Sequence, residues 1–110
     1  MQDLEPESSS NEPVLYLKYK EARATGQRTT EGFVVFAGNR ISLQLTKSAG
    51  TAVLKHRELY STKIAEDGVL LADLLFSSPS AAAKFVGGAS LSGNALWKTS
   101  DGTQLGQLEG

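Results

Sequence analysis

Apolar and polar side chains alternate in the first third of the chain. Over residues 14–20, Leu15, Leu17 and Tyr19 fall on one side of an extended backbone and the other side chains fall on the opposite side, which is the two-residue period of a β-strand. Residues 22–28 are polar and predict a short second strand or an edge segment. The fold is therefore expected to begin with β-structure.

A second apolar run continues this pattern. Residues 32–37 read Gly-Phe-Val-Val-Phe-Ala, the densest β-branched and aromatic run in the chain, and predict a buried central strand. Gly38 and Asn39 have the composition of a turn. Alternation then resumes at three apolar positions, Ile41, Leu43 and Leu45. Together these segments predict an antiparallel meander.

The apolar period lengthens midway along the chain. The spacing over residues 51–65 predicts a helix, which Asp67 and Gly68 are expected to end. Residues 69–71 and 74–76 are short apolar segments that predict strands or an extended loop.

The most specific local signal surrounds a proline. Pro79 fits the first position of a helix and holds the preceding residue extended, so Ser78 is expected to be the N-cap. Gly87 is expected to end this short helix in the left-handed conformation. Its apolar stripe is predicted at three positions, Ala82, Phe85 and Val86.

The C-terminal part carries a hairpin signal. Asp101 and Gly102 have the composition of a turn between paired strands, and residues 94–98 and 103–105 are expected to pair around them. The chain is thus predicted to form an α+β fold. A small antiparallel sheet, made from the meander and the C-terminal hairpin, is packed with two helices.

Residues 1–13 differ in composition from the rest. They contain four acidic residues and no basic one, with several serines and two prolines, which predicts a disordered acidic tail or linker. The length of 110 residues and the apolar fraction of 40% suit one core. Residues 14–110 are therefore expected to form a single α+β accessory domain.

Composition also narrows the expected compartment. The chain has no cysteine, which fits a reducing environment. It contains no run of about 18 apolar residues that would cross a membrane, and its N-terminus lacks a secretory signal. A cytoplasmic protein with no membrane partner is expected.

The net charge of −1 conceals an uneven distribution. Residues 13–63 hold nine lysines and arginines against three glutamates, and such a basic segment can attract nucleic acid. Five of these cations lie on or beside predicted strands and are candidates to share one face with Tyr16: Lys18, Lys20, Arg23, Arg28 and Arg40. Scattered solvated charges are the alternative interpretation.

Motifs for catalysis and cofactor binding are missing from the sequence. His56 is the only histidine and has no cysteine to join it, so neither a catalytic triad nor a zinc ligand set is recognisable. No phosphate-binding glycine motif is present. The sequence therefore predicts no enzyme, no metal and no cofactor.

Two further features each allow two interpretations. Ser78 and Ser80 can hold an anion at the predicted helix start, or the start can be simply capped. Tyr16 and Trp97 are both candidates to stack on a base, but Trp97 can instead anchor the core, as a tryptophan in a strand more often does.

The order of several motifs resembles a known family. A Gly-Phe-Val-Val strand precedes an Arg-Glu-Leu helix, then Phe-Ser-Ser-Pro-Ser-Ala-Ala-Ala, and then Gly-Asn-Ala-Leu-Trp-Lys before Asp-Gly-x-x-Leu. Over about residues 14–108 this order is similar to the bacterial domain-of-unknown-function family 4357. The resemblance implies a compact, non-catalytic α+β accessory domain in proteins that handle DNA. Members resemble domains of restriction and methylation systems and often follow a GIY-YIG nuclease domain.

The chain departs from the family in one stretch. Where the family often has Arg-Ser-x-Asn-Gly-Trp-x-x-Trp, the arginine, the asparagine and the first tryptophan are replaced by Ala89, Ser92 and Asn94, whereas Trp97 is kept.

Two functions remain open at this point. The first is an accessory domain that binds DNA, or senses modified DNA, beside a nuclease or methylase. The second is a protein-interaction or scaffolding module that positions a neighbouring enzyme domain.

Overall fold

A computed structural model of the chain describes residues 12–108, and within that range it contains a four-stranded sheet. Neighbouring strands are antiparallel. They lie in chain order: β1 (Leu15–Tyr19), β2 (Ala22–Thr29), β3 (Gly32–Val35) and β4 (Leu74–Phe76). The first three strands confirm the start of the predicted meander. The tail predicted for residues 1–13 lies outside the described residues, apart from Glu12 and Pro13.

The sheet has one buried and one exposed face. In β1, Leu15 and Leu17 are buried whereas Tyr16 and Lys18 are exposed, as the alternation predicts. All four strands contribute to the buried face, through Leu15, Leu17, Ala22, Ala24, Phe33, Val35, Leu74 and Phe76. We call the opposite side the outer face.

Helices cover the buried face. The described residues form four α-helices: α1 (Gly50–Leu59), α2 (Pro79–Gly87), α3 (Gly93–Leu96) and α4 (Leu105–Leu108). Two short 3₁₀ turns lie at Lys47–Ala49 and Ser61–Lys63. Helix α2 contacts β2, β3 and β4, which confirms the α+β class. No helix in residues 12–108 is long and apolar enough to cross a membrane.

The predicted start of α2 is confirmed, whereas its end differs by one residue. The Ser78 hydroxyl accepts a hydrogen bond of 3.1 Å from the amide of Ala81, and Pro79 is the first helical residue. The left-handed residue is Gly88, with φ of 70°, and not Gly87. Gly87 is helical and buried, and a β-carbon there would lie 2.3 Å from a neighbouring side chain. Close packing against Leu91 and Tyr19, rather than a positive φ, therefore favours glycine at this position.

The strand predicted over residues 41–45 does not form. The backbone of this segment bonds to the end of α2 instead, since the amide of Ser42 donates to the carbonyl of Val86 at 2.8 Å. Leu43 is 52% exposed, so its side chain contributes little to the core. The prediction is wrong because alternation describes side chains and does not identify the partner of the backbone.

Helix α1 is shorter than the helix predicted over residues 51–65. It ends at Leu59, and the chain then forms a 3₁₀ turn. Ile64 pairs with Leu70 in an isolated antiparallel bridge. Ile64, whose spacing predicts a place in the last turn of the helix, thus belongs to the bridge that follows α1.

The predicted C-terminal hairpin is reduced to one bridge. Its turn forms, because the amide of Gly102 donates to the carbonyl of Thr99 at 2.9 Å, and Lys98 pairs with Gln104. The segments on either side are the helices α3 and α4 rather than strands. Helix α3 packs tightly on the start of α2, where a β-carbon on Gly93 would lie 2.4 Å from the Pro79 backbone. The fold therefore has two more short helices than predicted.

Candidate functional site

The sheet register brings three basic residues from different segments into one row. Lys18 on β1 lies opposite Arg23 on β2. Arg23 in turn pairs with Arg40, and their backbone groups exchange two hydrogen bonds of 2.9 Å. Opposed residues of antiparallel strands point to the same face, with Cβ atoms about 4.5–5.5 Å apart. We call Lys18, Arg23 and Arg40, which are all exposed, the basic row.

The basic row is only weakly neutralised. Within residues 12–108, no carboxylate forms an ion pair with Lys18 or Arg23. Arg40 lies 3.9 Å from a carboxylate oxygen of Asp67, and both side chains are more than half exposed, so this pair contributes little. Like charges opposite each other destabilise a sheet. The row therefore concentrates positive potential on the outer face at some cost in stability.

A groove opens beside the basic row. Lys98 forms an antiparallel bridge with Tyr16, with backbone hydrogen bonds of 2.7 and 2.9 Å, and places a fourth cation at the edge of β1. The loop after Lys98 forms one wall of a groove of about 410 Å³. Its polar and aromatic lining comes from Tyr16, Lys18, Arg23, Thr25, Asn39, Lys98, Thr99 and Ser100.

An asparagine in this groove has a fixed orientation. Nδ2 of Asn39 donates to the carbonyls of Thr25 and Phe36 at 3.2 and 2.8 Å, and to the Thr25 hydroxyl at 2.8 Å. A carbonyl oxygen accepts and cannot donate, so the amide nitrogen must face these atoms. Oδ1 of Asn39 faces the other way, and no donor in residues 12–108 bonds to it. Asn39 lines the groove and carries an acceptor that no described residue uses.

The wall of the groove is an ordered loop. The carboxylate of Asp101 accepts hydrogen bonds from the hydroxyl of Thr99 and from the amide and hydroxyl of Thr103, at 3.1 and 2.9 Å. The hydroxyl bonds from Thr99 and Thr103, followed by the amide bond, hold the pKa of Asp101 below its ordinary value. The loop is therefore held in place by its own side chains while its outer surface is exposed.

Two predicted cations lie away from the row. Lys20 occupies the β1–β2 turn, with φ of 53°, and its Nζ lies 5.5 Å from the centre of the Tyr19 ring. Arg28 lies opposite Phe33, whose side chain is on the buried face. Its guanidinium bonds the Glu12 carboxylate at 2.7 and 2.8 Å, so its charge is balanced. The prediction that Arg28 shares a face with Tyr16 is therefore wrong.

The predicted stacking residue Trp97 is in the core. Its side chain is fully buried, with its ring centre 4.7 Å from that of Phe33. Its Nε1 donates a hydrogen bond of 3.0 Å to the carbonyl of Pro79. The alternative interpretation as a core anchor describes the structure, and Tyr16 is the aromatic residue of the outer face.

The predicted anion site at the start of α2 is occupied by the protein itself. The Ser78 hydroxyl accepts from within the helix, and the Ser80 hydroxyl accepts a hydrogen bond of 3.1 Å from the amide of Gly93 in α3. Because α3 covers this end of the helix, the two serines serve internal hydrogen bonds rather than an open anion site.

His56 and Arg57 take structural positions on α1. The His56 ring lies among aromatic rings, with its centre 5.2 Å from that of Phe76. Arg57 donates two hydrogen bonds, of 3.0 and 2.6 Å, to the carbonyl of Phe85 near the end of α2. Burial lowers the pKa of Arg57 to about 10, so this guanidinium is charged at neutral pH and ties α1 to α2. Within the described residues, no group of three or more potential metal ligands is found.

Lys98, Thr25 and Asn39 were not predicted as site residues. The composition predicts Asn39 only as a turn residue, although asparagine side chains in turns often bond the backbone. Lys98 follows the buried Trp97, and this alternation could have indicated exposure but not the pairing with Tyr16.

Together the fold and the groove define a small α+β domain with an uncovered basic sheet face. The chain belongs to the family described as Domain of unknown function (DUF4357), whose profile matches residues 15–109. The match confirms the resemblance found in the motifs. No curated protein and no solved structure matches the chain.

Proposed function

We propose that this domain binds nucleic acid through its outer face. The observation that supports the proposal is the basic row beside Tyr16. Three cations are aligned across neighbouring strands by backbone pairing, and a fourth borders the groove. Lysine and arginine neutralise phosphates and release counterions, which supplies most of the affinity of sequence-independent binding. An exposed aromatic ring among such cations suits the contact with a base.

The proposed role is that of an accessory domain rather than a catalyst. The side chains of the groove supply cations, an aromatic ring and an amide, which are groups that hold a polyanion. In keeping with the family resemblance, we propose that the domain acts in a bacterial cytoplasmic protein that handles DNA, beside a nuclease such as a GIY-YIG domain or beside a methylase. Its task there would be to dock on the DNA or to sense its modification.

The proposal is tested by the salt dependence of binding. Fluorescence anisotropy with a labelled oligonucleotide gives the affinity at several salt concentrations. The double variant Lys18→Gln/Arg23→Gln should bind roughly tenfold more weakly, and the slope of log affinity against log salt should fall by about 0.7–0.9 for each lost phosphate contact. The matched control Lys55→Gln/Lys63→Gln removes the same charge from exposed positions outside the sheet and should change binding much less. Equal losses in both variants, or no binding at low salt, would refute the proposal.

A protein partner on the same face is the second candidate. Leu75 lies opposite Val34 and is 44% exposed, so the outer face continues from the basic row into an apolar part. A neighbouring enzyme domain docked there would bury both residues. In that case Leu75→Gln should weaken the association of the two domains, whereas the Lys18→Gln/Arg23→Gln variant should leave it unchanged. A pull-down with the neighbouring domain separates these outcomes.

A further inference from the structure

We infer that the groove holds one unpaired base of a single strand, stacked on Tyr16, and that Asn39 selects a base with an exocyclic amino group. The inference rests on the proposed function and narrows its ligand from nucleic acid in general to a single-stranded segment with adenine or cytosine in the groove, the bases that carry an amino group where thymine carries a carbonyl oxygen. Three features of the groove carry it.

The first feature is the concave shape of the site. The basic row borders a groove of about 410 Å³, which lies within the range of about 300–1,000 Å³ found for clefts that hold small molecules. Proteins that read base edges in the major groove of duplex DNA insert a helix or a β-ribbon into a groove about 12 Å wide. This domain presents a concave groove on its sheet instead of a projecting element. A base that remains stacked in a duplex cannot enter it, whereas a base of a single strand can be splayed out.

The second feature is the position of the aromatic ring. Tyr16 is 45% exposed and lines the groove. Its backbone is hydrogen-bonded to Lys98 on one side, and it lies opposite Thr25 on the other. The position of the Tyr16 backbone, from which the ring projects, is therefore fixed by pairing on both sides. Lys98 lies beside it across the edge of β1, and Lys18 lies two residues further along the same strand and on the same face. A strand whose base stacks on Tyr16 would therefore pass two cations that can neutralise its phosphates.

The third feature is the acceptor of Asn39. Its amide nitrogen already donates hydrogen bonds to the carbonyls of Thr25 and Phe36. The side-chain oxygen Oδ1 is therefore the atom of Asn39 that accepts a hydrogen bond from a ligand. Adenine and cytosine present an amino group where thymine presents a carbonyl oxygen. A carbonyl opposite Oδ1 would leave two acceptors facing each other. This contact should favour an amino-bearing base by about three- to tenfold.

The ligand comparison needs only the unmodified protein. Anisotropy titrations with labelled dC12, dU12 and a 12-base-pair duplex should show the tightest binding for dC12, because cytosine and uracil differ in the group that meets Asn39. The single strand should bind more tightly than the duplex. Equal affinity for dC12 and dU12 would overturn the role of Asn39, and binding to the duplex that equals or exceeds that to dC12 would overturn the single-strand site.

Two variants test the stacking. Tyr16→Ser should lose at least about tenfold in affinity for dC12, because stacking of one base on an aromatic ring accounts for a change of this size. Leu75→Ser is the matched control, because Leu75 is exposed on the same face to nearly the same degree, 44% against 45%, and does not line the groove. Tyr16→Phe should keep the affinity.

Failure of this inference is distinguishable from failure of the proposed function. If the duplex binds with the predicted salt dependence and Tyr16→Ser has no effect, the domain binds nucleic acid but the base site is wrong. If neither single strand nor duplex binds at low salt, both proposals are wrong.

Discussion

Replacing Trp97 by phenylalanine tests whether this side chain belongs to the core or to a ligand site. Trp97 is the largest of the fully buried side chains and packs 4.7 Å from Phe33, centre to centre. Its Nε1 donates a hydrogen bond of 3.0 Å to the carbonyl of Pro79 at the start of α2. Phenylalanine keeps an aromatic ring at this place but removes the donor and the second ring. The variant therefore loses the hydrogen bond to Pro79 and the buried volume of the second ring of the indole.

The expected cost follows from these two losses. The hydrogen bond contributes a net free energy of about 0.5–1.5 kcal/mol. The smaller ring gives up burial and leaves a cavity, which adds about 1–2 kcal/mol for a change of this size in a closed core. Together the free energy of unfolding should fall by about 1.5–3.5 kcal/mol, a large part of the roughly 5–15 kcal/mol that stabilises a domain.

Urea unfolding followed by far-ultraviolet circular dichroism measures this change, since Trp97 is the only tryptophan and fluorescence would be lost in the variant. With a slope of about 1–3 kcal/mol per molar urea, a central loss of about 2.5 kcal/mol should lower the midpoint by roughly 0.8–2.5 M. The control Tyr16→Phe alters an exposed aromatic residue and should stay within about 0.5 kcal/mol of the original protein. A similarly small effect of Trp97→Phe would mean that the indole is not a core anchor, and the stacking interpretation would return.

Two further predictions concern local hydrogen bonds. Ser78→Ala removes the N-cap of α2 and should lower the free energy of unfolding by about 1 kcal/mol, whereas Ser77→Ala at the exposed neighbouring position should change it by less than about 0.5 kcal/mol; equal effects in thermal unfolding would argue against the cap. Hydrogen bonds from Thr99 and Thr103 hold the pKa of Asp101 below its ordinary value in the folded chain, so the stability from this ionised carboxylate is present above the unfolded pKa and is lost as the pH falls through the folded one. The titration of Asp101, followed by the amide resonances of Thr99 and Thr103, should have its midpoint at a lower pH than that of an unpaired aspartate; a midpoint at or above the ordinary aspartate value would show that the loop is not held by Asp101.

The sequence predicted elements that local physics determines. The cap at Ser78 and the first helical position at Pro79 follow from neighbouring residues alone, because the side-chain oxygen and the fixed φ act within one turn. The alternation over β1 likewise requires only that one face is buried. These features therefore appear in the structure where the pattern places them.

Pairings across long distances in the chain could not be predicted. Arg23 and Arg40 lie in one row because the chain turns after β3 and returns to β2 at Arg40, a path that no composition specifies. Arg28 belongs to the same basic segment, but β2 places it on the other face, next to Glu12. The charge count correctly identified the basic segment, and the register decides which of its cations share a surface.

The outer face of the sheet is open because the core is built on the opposite face alone. Along β2 the buried face carries Ala22, Ala24 and Gly26, and a β-carbon on Gly26 would lie 2.5 Å from the ring of Phe33. Small residues at these positions let helix α2 and the large side chains pack closely on the buried face. The domain therefore builds its core without covering the outer face. The outer face can then carry aligned like charges, which oppose folding rather than favour it. For this reason the Lys18→Gln variant should be at least as stable as the original protein while binding less, and a loss of stability in that variant would show that the row serves the fold.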